Sequence, residues 1–164
     1  MAGGIRGGRP RLRGDRTLKP PQAKPQLAHP EKAKKRVLFV CIGNSCRSQM
    51  AEALARAYGS DILTAHSAGL APAGIVAPLT RRTLTEKNIS SEGQFPKALD
   101  AFSGERFDVV VNISGEPLAT AISATRMIDW RVRDPIGQSE SVYRTVAAEI
   151  EGLVMRLILE LRGS

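Results

Sequence analysis

The stretch Val37-Leu38-Phe39-Val40-Cys41-Ile42-Gly43-Asn44-Ser45-Cys46-Arg47-Ser48 decides how the chain is read. Its first four residues form a continuous apolar run, the pattern of a strand buried on both faces in a parallel sheet. Beyond the loop, Met50, Leu54 and Ala57/Tyr58 recur at helical spacing, and Gly59 stands where a helix terminator belongs. A strand that runs through Cys-X5-Arg-Ser into a helix is a frame for binding a tetrahedral oxyanion. Gly43 is expected to let the backbone turn tightly so that N–H groups of the loop Ile42, Gly43, Asn44, Ser45, Cys46, Arg47 and Ser48 converge on a phosphate-like group. The helix adds the positive end of its dipole, and Arg47 is placed to grip two oxygens with its planar fork. Such a cradle favours a thiolate, which makes Cys41 the candidate nucleophile. Asn44 and Ser48 read either as donors to the sulfur or as locks on the loop, and Ser48 reads equally well as a helix cap. No Gly-Lys-Ser/Thr follows the glycine, which excludes a Walker-type nucleotide loop.

Working outward, residues 62–67 read as a second strand, and Ala68 to Gly74 as a loop of small residues. A helix is expected over 78–87, running out at Asn88, and a short one near 97–102. Val109 to Ile113 and Arg126 to Asp129 read as further buried strands. The last helix, 141–161, carries Val142, Val146, Ile150, Leu153, Leu157 and Leu161 as an apolar stripe. Strands separated by helices predict one α/β domain with a parallel sheet, whose ligands sit beyond the carboxyl ends of the strands, where Cys41 lies.

The chain of 164 residues carries a net charge of +8, but its placement changes its meaning. Met1 to Arg36 holds 11 Lys/Arg against 2 Asp/Glu, whereas the remainder holds 13 against 14. A basic face for nucleic acid on the folded part is therefore not expected. Residues 1–35, rich in Gly, Pro and Arg, read as a disordered basic tail, and 36–164 as the folded domain. The tail lacks the apolar core of a secretory signal, and no stretch is long and apolar enough to span a membrane. Cys41 and Cys46, the two cysteines, are too few for a disulfide framework or a zinc site, so a cytoplasmic protein without metal or cofactor is expected.

The run from Val40 to Ala53 resembles the signature of low-molecular-weight protein tyrosine phosphatases and of the thiol-coupled arsenate reductases that share their fold. Ser67-Ala68-Gly69, Pro96-Lys97-Ala98-Leu99, Phe107 to Val111 and Asp134-Pro135 extend the similarity over most of Arg36 to Arg162. The resemblance implies a three-layer domain with a four-stranded parallel sheet in the order 2-1-3-4. It also implies that Cys41 is the nucleophile, Arg47 binds the oxyanion and Asp134 is the general acid. Without the resemblance, Asp134-Pro135 reads only as the start of a turn.

The leading expectation is a cysteine-dependent phosphomonoester hydrolase, a protein-tyrosine phosphatase acting through a Cys41 thiophosphate on a phosphorylated protein or a small phosphomonoester. The alternative is an arsenate reductase. Where the thioredoxin-coupled reductases carry a resolving cysteine after the third strand, this chain has Ser114, and no cysteine follows from Gly115 to Asp129. An internal relay is thereby excluded, leaving a small thiol or a glutaredoxin-like protein as reductant. Gln49-Met50-Ala51-Glu52 resembles the reductase branch, and Ile136-Gly137 stands where phosphatases place aromatic residues. Trp130 and Tyr143 are candidates for a pocket wall or for packing. Cys46 reads either as a redox partner of Cys41 or as a packed thiol. His66 reads as a strand-end histidine with no catalytic role.

Overall fold

A computed structural model describes residues 33–118 and 122–164, together with 3–4 and 7–8. The expected disorder of the basic tail lies outside the described residues. The unit Lys32–Ser164 carries the fold. Four strands, β1 (Lys35–Cys41), β2 (Leu63–Gly69), β3 (Arg106–Asn112) and β4 (Ser123–Asp129), form one sheet in the order β2-β1-β3-β4. All pairings are parallel, with Cys41 opposite Gly69 and Phe39 opposite Val111. The expected α/β fold and strand order are thus observed.

β1 is central because it can be buried on both faces. Val37 and Phe39 enter one core with Met50, Leu54, Val111, Ile150 and Ile158, and Leu38 and Val40 enter a second with Phe107 and Val110. Each such side chain contributes about 1.5–3 kcal/mol by leaving water. The first core lies beneath α1 (Arg47–Gly59) and α3 (Glu140–Arg162). α2 (Pro78–Glu86) follows β2, and a 3-10 turn (Leu99–Phe102) precedes β3. α2 ends at Glu86, one residue short of the expected 78–87, and the chain turns away at Asn88 as the sequence predicts. Asn88 takes a left-handed φ of 58°, Ile89 N donates to Leu84 O at 2.9 Å and Asn88 N donates to Thr85 O at 2.9 Å.

Two helix assignments shift. Gly59 does not end α1 through a left-handed turn. A Cβ there would lie 3.0 Å from Ile158 Cδ1 and 3.2 Å from Leu63 Cδ2, so the glycine lets α1 approach α3 closely. Ala57 and Tyr58 face solvent, because the buried part of α1 is almost its whole circumference from Arg47 to Ala55 rather than one stripe. In α3 the fully buried face is Tyr143, Val146, Ala147, Ile150, Val154, Leu157 and Ile158, with Val142, Leu153 and Leu161 at its margin. Among the described residues, no helix is long and apolar enough to cross a membrane.

Candidate active site

The parallel sheet delivers Cys41 to the carboxyl edge of β1, and the chain between it and α1 wraps a cavity of about 160 Å3. The carbonyls of this loop are engaged one after another. Cys41 O accepts from Leu70 N at 3.0 Å, Ile42 O from Ala71 N at 2.8 Å and Gly43 O from Ala73 N at 2.9 Å. Asn44 O accepts from Gln49 Nε2 at 3.0 Å, Ser45 O from Ala77 N at 3.1 Å and Thr80 Oγ1 at 2.9 Å, and Cys46 O from Met50 N at 2.9 Å. In a trans peptide the N–H points opposite the C=O. Six carbonyls held by the surrounding protein therefore turn the N–H groups that follow them toward the enclosed side. A backbone nest for an anion needs that arrangement, and the first turn of α1 lies behind it.

The tight turn falls one residue later than the sequence suggests. Asn44, not Gly43, adopts the left-handed conformation, at φ 48°. Asparagine tolerates that conformation better than most residues, and bonds from other segments fix its side chain: Oδ1 accepts from Lys97 N at 2.9 Å and Gln49 Nε2 at 3.0 Å. A Cβ on Gly43 would meet only ordinary contacts, the nearest being Ala73 Cβ at 3.8 Å. The stringent glycine is Gly69, where a Cβ would sit 2.7 Å from Ile42 O and 2.8 Å from Asn44 N. Its only sequence signal is its place in Ser67-Ala68-Gly69.

Ser48 Oγ lies 2.8 Å from Cys41 Sγ and accepts from Asn44 Nδ2 at 2.8 Å. Ser48 is the second residue of α1, whose N-cap is Cys46, so the capping alternative gives way to contact with the sulfur. Arg47, 6% exposed, donates from Nη1 to Ile113 O at 2.8 Å and Val132 O at 3.1 Å. Its Nη2 is 3.5 Å from Asp134 Oδ2. Asp134 sits at the mouth, its side chain 42% exposed, and Oδ1 accepts from Ile136 N at 3.1 Å. Cys41, Arg47 and Asp134 thus line one cavity, joined by Cys46, Ala73 and Ile136.

Cys41 and Cys46 are both free and buried. Burial pushes the Cys46 thiol up, and its Sγ lies 3.4 Å from Tyr143 Oη. Tyr143 is therefore packing beneath the loop rather than a wall of the mouth, and burial followed by its contact with Cys46 raises its hydroxyl as well. Trp130 packs tilted against Phe39, ring centroids 5.8 Å apart, and borders a second groove of about 1030 Å3 along β4 that shares Arg47 with the cavity. His66 lies edge-on to Phe102 and Phe107, away from the cavity, and burial lowers its pKa. Ser114 lies two residues beyond β3, donating to Asn112 Oδ1 at 2.6 Å.

A profile of the low molecular weight phosphotyrosine protein phosphatase family matches residues 36–164. The chain belongs to that family. Within the family its relatives carry a different activity in their names. It is 34% identical over 130 residues to the glutaredoxin arsenate reductase of Synechocystis, covering 77% of this chain and 98% of that one. It is 35% identical over 126 residues to an arsenate reductase of Bacillus cereus strain Q1, covering 75% and 93%. A solved arsenate reductase in its phosphate-binding state superposes with a TM-score of 0.72 at 34% identity, covering 77% of this chain and 98% of that one.

These relatives overturn the expectation of a phosphomonoester hydrolase with phosphotyrosine as substrate. The expectation rested on a Cys-X5-Arg loop, a pattern suited to tetrahedral oxygens whatever atom stands at their centre, so it does not separate the two chemistries. The mouth agrees with the correction: Ala73 and Ile136 border it, and no aromatic ring is among the described residues lining the cavity.

Proposed function

We propose that this protein is an arsenate reductase that uses an external thiol. The observation that carries the reading is the 34–35% identity to relatives named arsenate reductases over 93–98% of their length. The site geometry supplies a mechanism. The loop N–H groups and Arg47 hold the oxyanion while the Cys41 thiolate attacks arsenic, forming an S–As bond. One As–O bond breaks, and its oxygen leaves as water with a proton from Asp134, the only carboxylate among the described residues lining the cavity. A thiolate from outside then attacks Cys41 Sγ. The S–As bond breaks, its electron pair stays on arsenic, and As(V) departs as As(III) arsenite. Cys41 is left in a mixed disulfide, which a second thiol resolves. One arsenate is reduced for two thiols oxidised.

Ser114 supports an external reductant, because the hydroxyl just beyond β3 cannot form a disulfide. The name of the Synechocystis relative supports a glutaredoxin-type protein working with a small thiol. Two free cysteines and thiol chemistry fit a reducing compartment, the cytoplasm. The test is arsenite release from arsenate with glutathione and a glutaredoxin. Wild-type protein is expected to turn over and Cys41→Ser to be inactive; no release with any thiol system refutes the proposal.

A further inference from the structure

Gln49 is fully buried on α1 beside the oxyanion loop, yet it touches no part of the cavity. Its Nε2 donates to Asn44 O, Asn44 Oδ1 and Phe95 O, each at 3.0 Å. Three oxygens around one nitrogen fix the amide orientation, since a flipped amide would set Oε1 against all three. Oε1 itself is buried with no hydrogen-bond partner among the described residues. A buried polar atom left unpaired is destabilising. An apolar residue of the same shape would avoid that cost, so the cavity-side consequence of the amide matters more than its packing.

We infer that Gln49 is a positioning residue that sets the direction of the hydrogen bonds reaching Cys41, an inference that rests on the reading of Cys41 as nucleophile. Gln49 Nε2 and Lys97 N both donate to Asn44 Oδ1, which leaves Asn44 Nδ2 facing Ser48 at 2.8 Å. Ser48 Oγ thereby receives a proton donor on one side and turns its own O–H toward Cys41 Sγ, 2.8 Å away. A hydroxyl that donates to sulfur favours the thiolate; one that accepts from a thiol does not. Gln49 also holds the carbonyl of Asn44, the residue in the left-handed conformation, so one amide clasps that residue through both backbone and side chain. Gln94 secures the far side of the arrangement, donating to Gln49 O at 3.1 Å and to the buried Glu52 Oε2 at 2.8 Å.

The test is the rate of Cys41 alkylation by iodoacetamide across pH 5–9, in a Cys46→Ser background, for Gln49→Met, Ser48→Ala and the double variant. Gln49→Met is expected to slow alkylation at pH 6.5 about fivefold and to move the profile to higher pH, with circular dichroism unchanged. Because Gln49 acts through Ser48, its substitution is expected to add nothing once Ser48 is alanine. Additive effects, or a Gln49→Met profile that overlays the parent, overturn the inference. If Gln49→Met fails to fold, Gln94→Met is read in its place: it loosens the same clasp from outside and is expected to shift the profile in the same direction, and no shift overturns the inference. None of these readouts needs arsenate, so failure of arsenate reduction and failure of the positioning role are told apart.

Discussion

Replacing Gly69 by alanine places one methyl group against the backbone of the oxyanion loop. The added Cβ would lie 2.7 Å from Ile42 O, 2.8 Å from Asn44 N and 2.9 Å from Asn44 Cβ. Reaching even the tightest contacts tolerated, near 3.0 Å, moves the loop by about 0.3 Å, and reaching an ordinary contact of 3.4 Å moves it by about 0.7 Å. The loop cannot give cheaply. Ile42 O is held by Ala71 N and Asn44 by Gln49 and Lys97, while Gly69 is itself held at Cys41 by strand pairing and by its N–H on Lys97 O at 2.8 Å. Overpacking of this kind costs about 1–3 kcal/mol. A misplacement of about 1 Å in a preorganised site costs up to about 100-fold, so a shift of half that is expected to weaken oxyanion binding about tenfold. Calorimetric titration with inorganic phosphate, paired with thermal melting, measures both effects. A Gly69→Ala protein with parental phosphate affinity and melting temperature would refute the reasoning that this glycine sets the loop.

Three further outcomes are expected. Asp134→Ala should lower the rate of arsenite release by about 100-fold or more while leaving phosphate affinity within a few-fold, because it removes a proton donor and not an oxyanion ligand; steady-state kinetics with the same titration separate the two. His66, its pKa lowered first by burial and then by Arg36, binds its proton more readily in the unfolded chain. Folding stability should therefore be level above about pH 6.5 and fall as pH drops below it, and urea midpoints should show that part of the slope removed in His66→Phe. A chain starting at Lys35 should keep the melting temperature and arsenite release of the full protein, as expected if residues 36–164 are the complete catalytic domain.

How much was legible in the sequence depends on whether neighbours in space are also neighbours in the chain. The apolar run before Cys41 and the Cys-X5-Arg-Ser spacing report local facts, and the strand, loop and helix appear where they predict. Asn88 likewise states its left-handed cap locally. The roles of Gly59 and Gly69 were hidden because each is set by a segment far along the chain: Ile158 on α3 for the first, and the Ile42–Asn44 backbone for the second. Gly43 was credited with a turn that Asn44 makes, since the identity of the strained residue depends on bonds from Gln49 and Lys97. The clasp of Gln49, Gln94 and Glu52 joins residues up to 45 positions apart and left no spacing to read. The phosphatase expectation fails for a different reason: an oxyanion loop is the same whether phosphorus or arsenic stands at the centre.

In the proposed mechanism Cys41, after taking up arsenate, is released by a thiol from outside the chain. The most direct test of that step is mass spectrometry of protein quenched during turnover with arsenate and glutathione, without glutaredoxin. The account predicts one glutathione bound through a disulfide to the peptide containing Cys41, formed only when arsenate is present and retained in Cys46→Ser. A Cys41–Cys46 disulfide in its place, or arsenite release with no glutathione ever attached to Cys41, would contradict it.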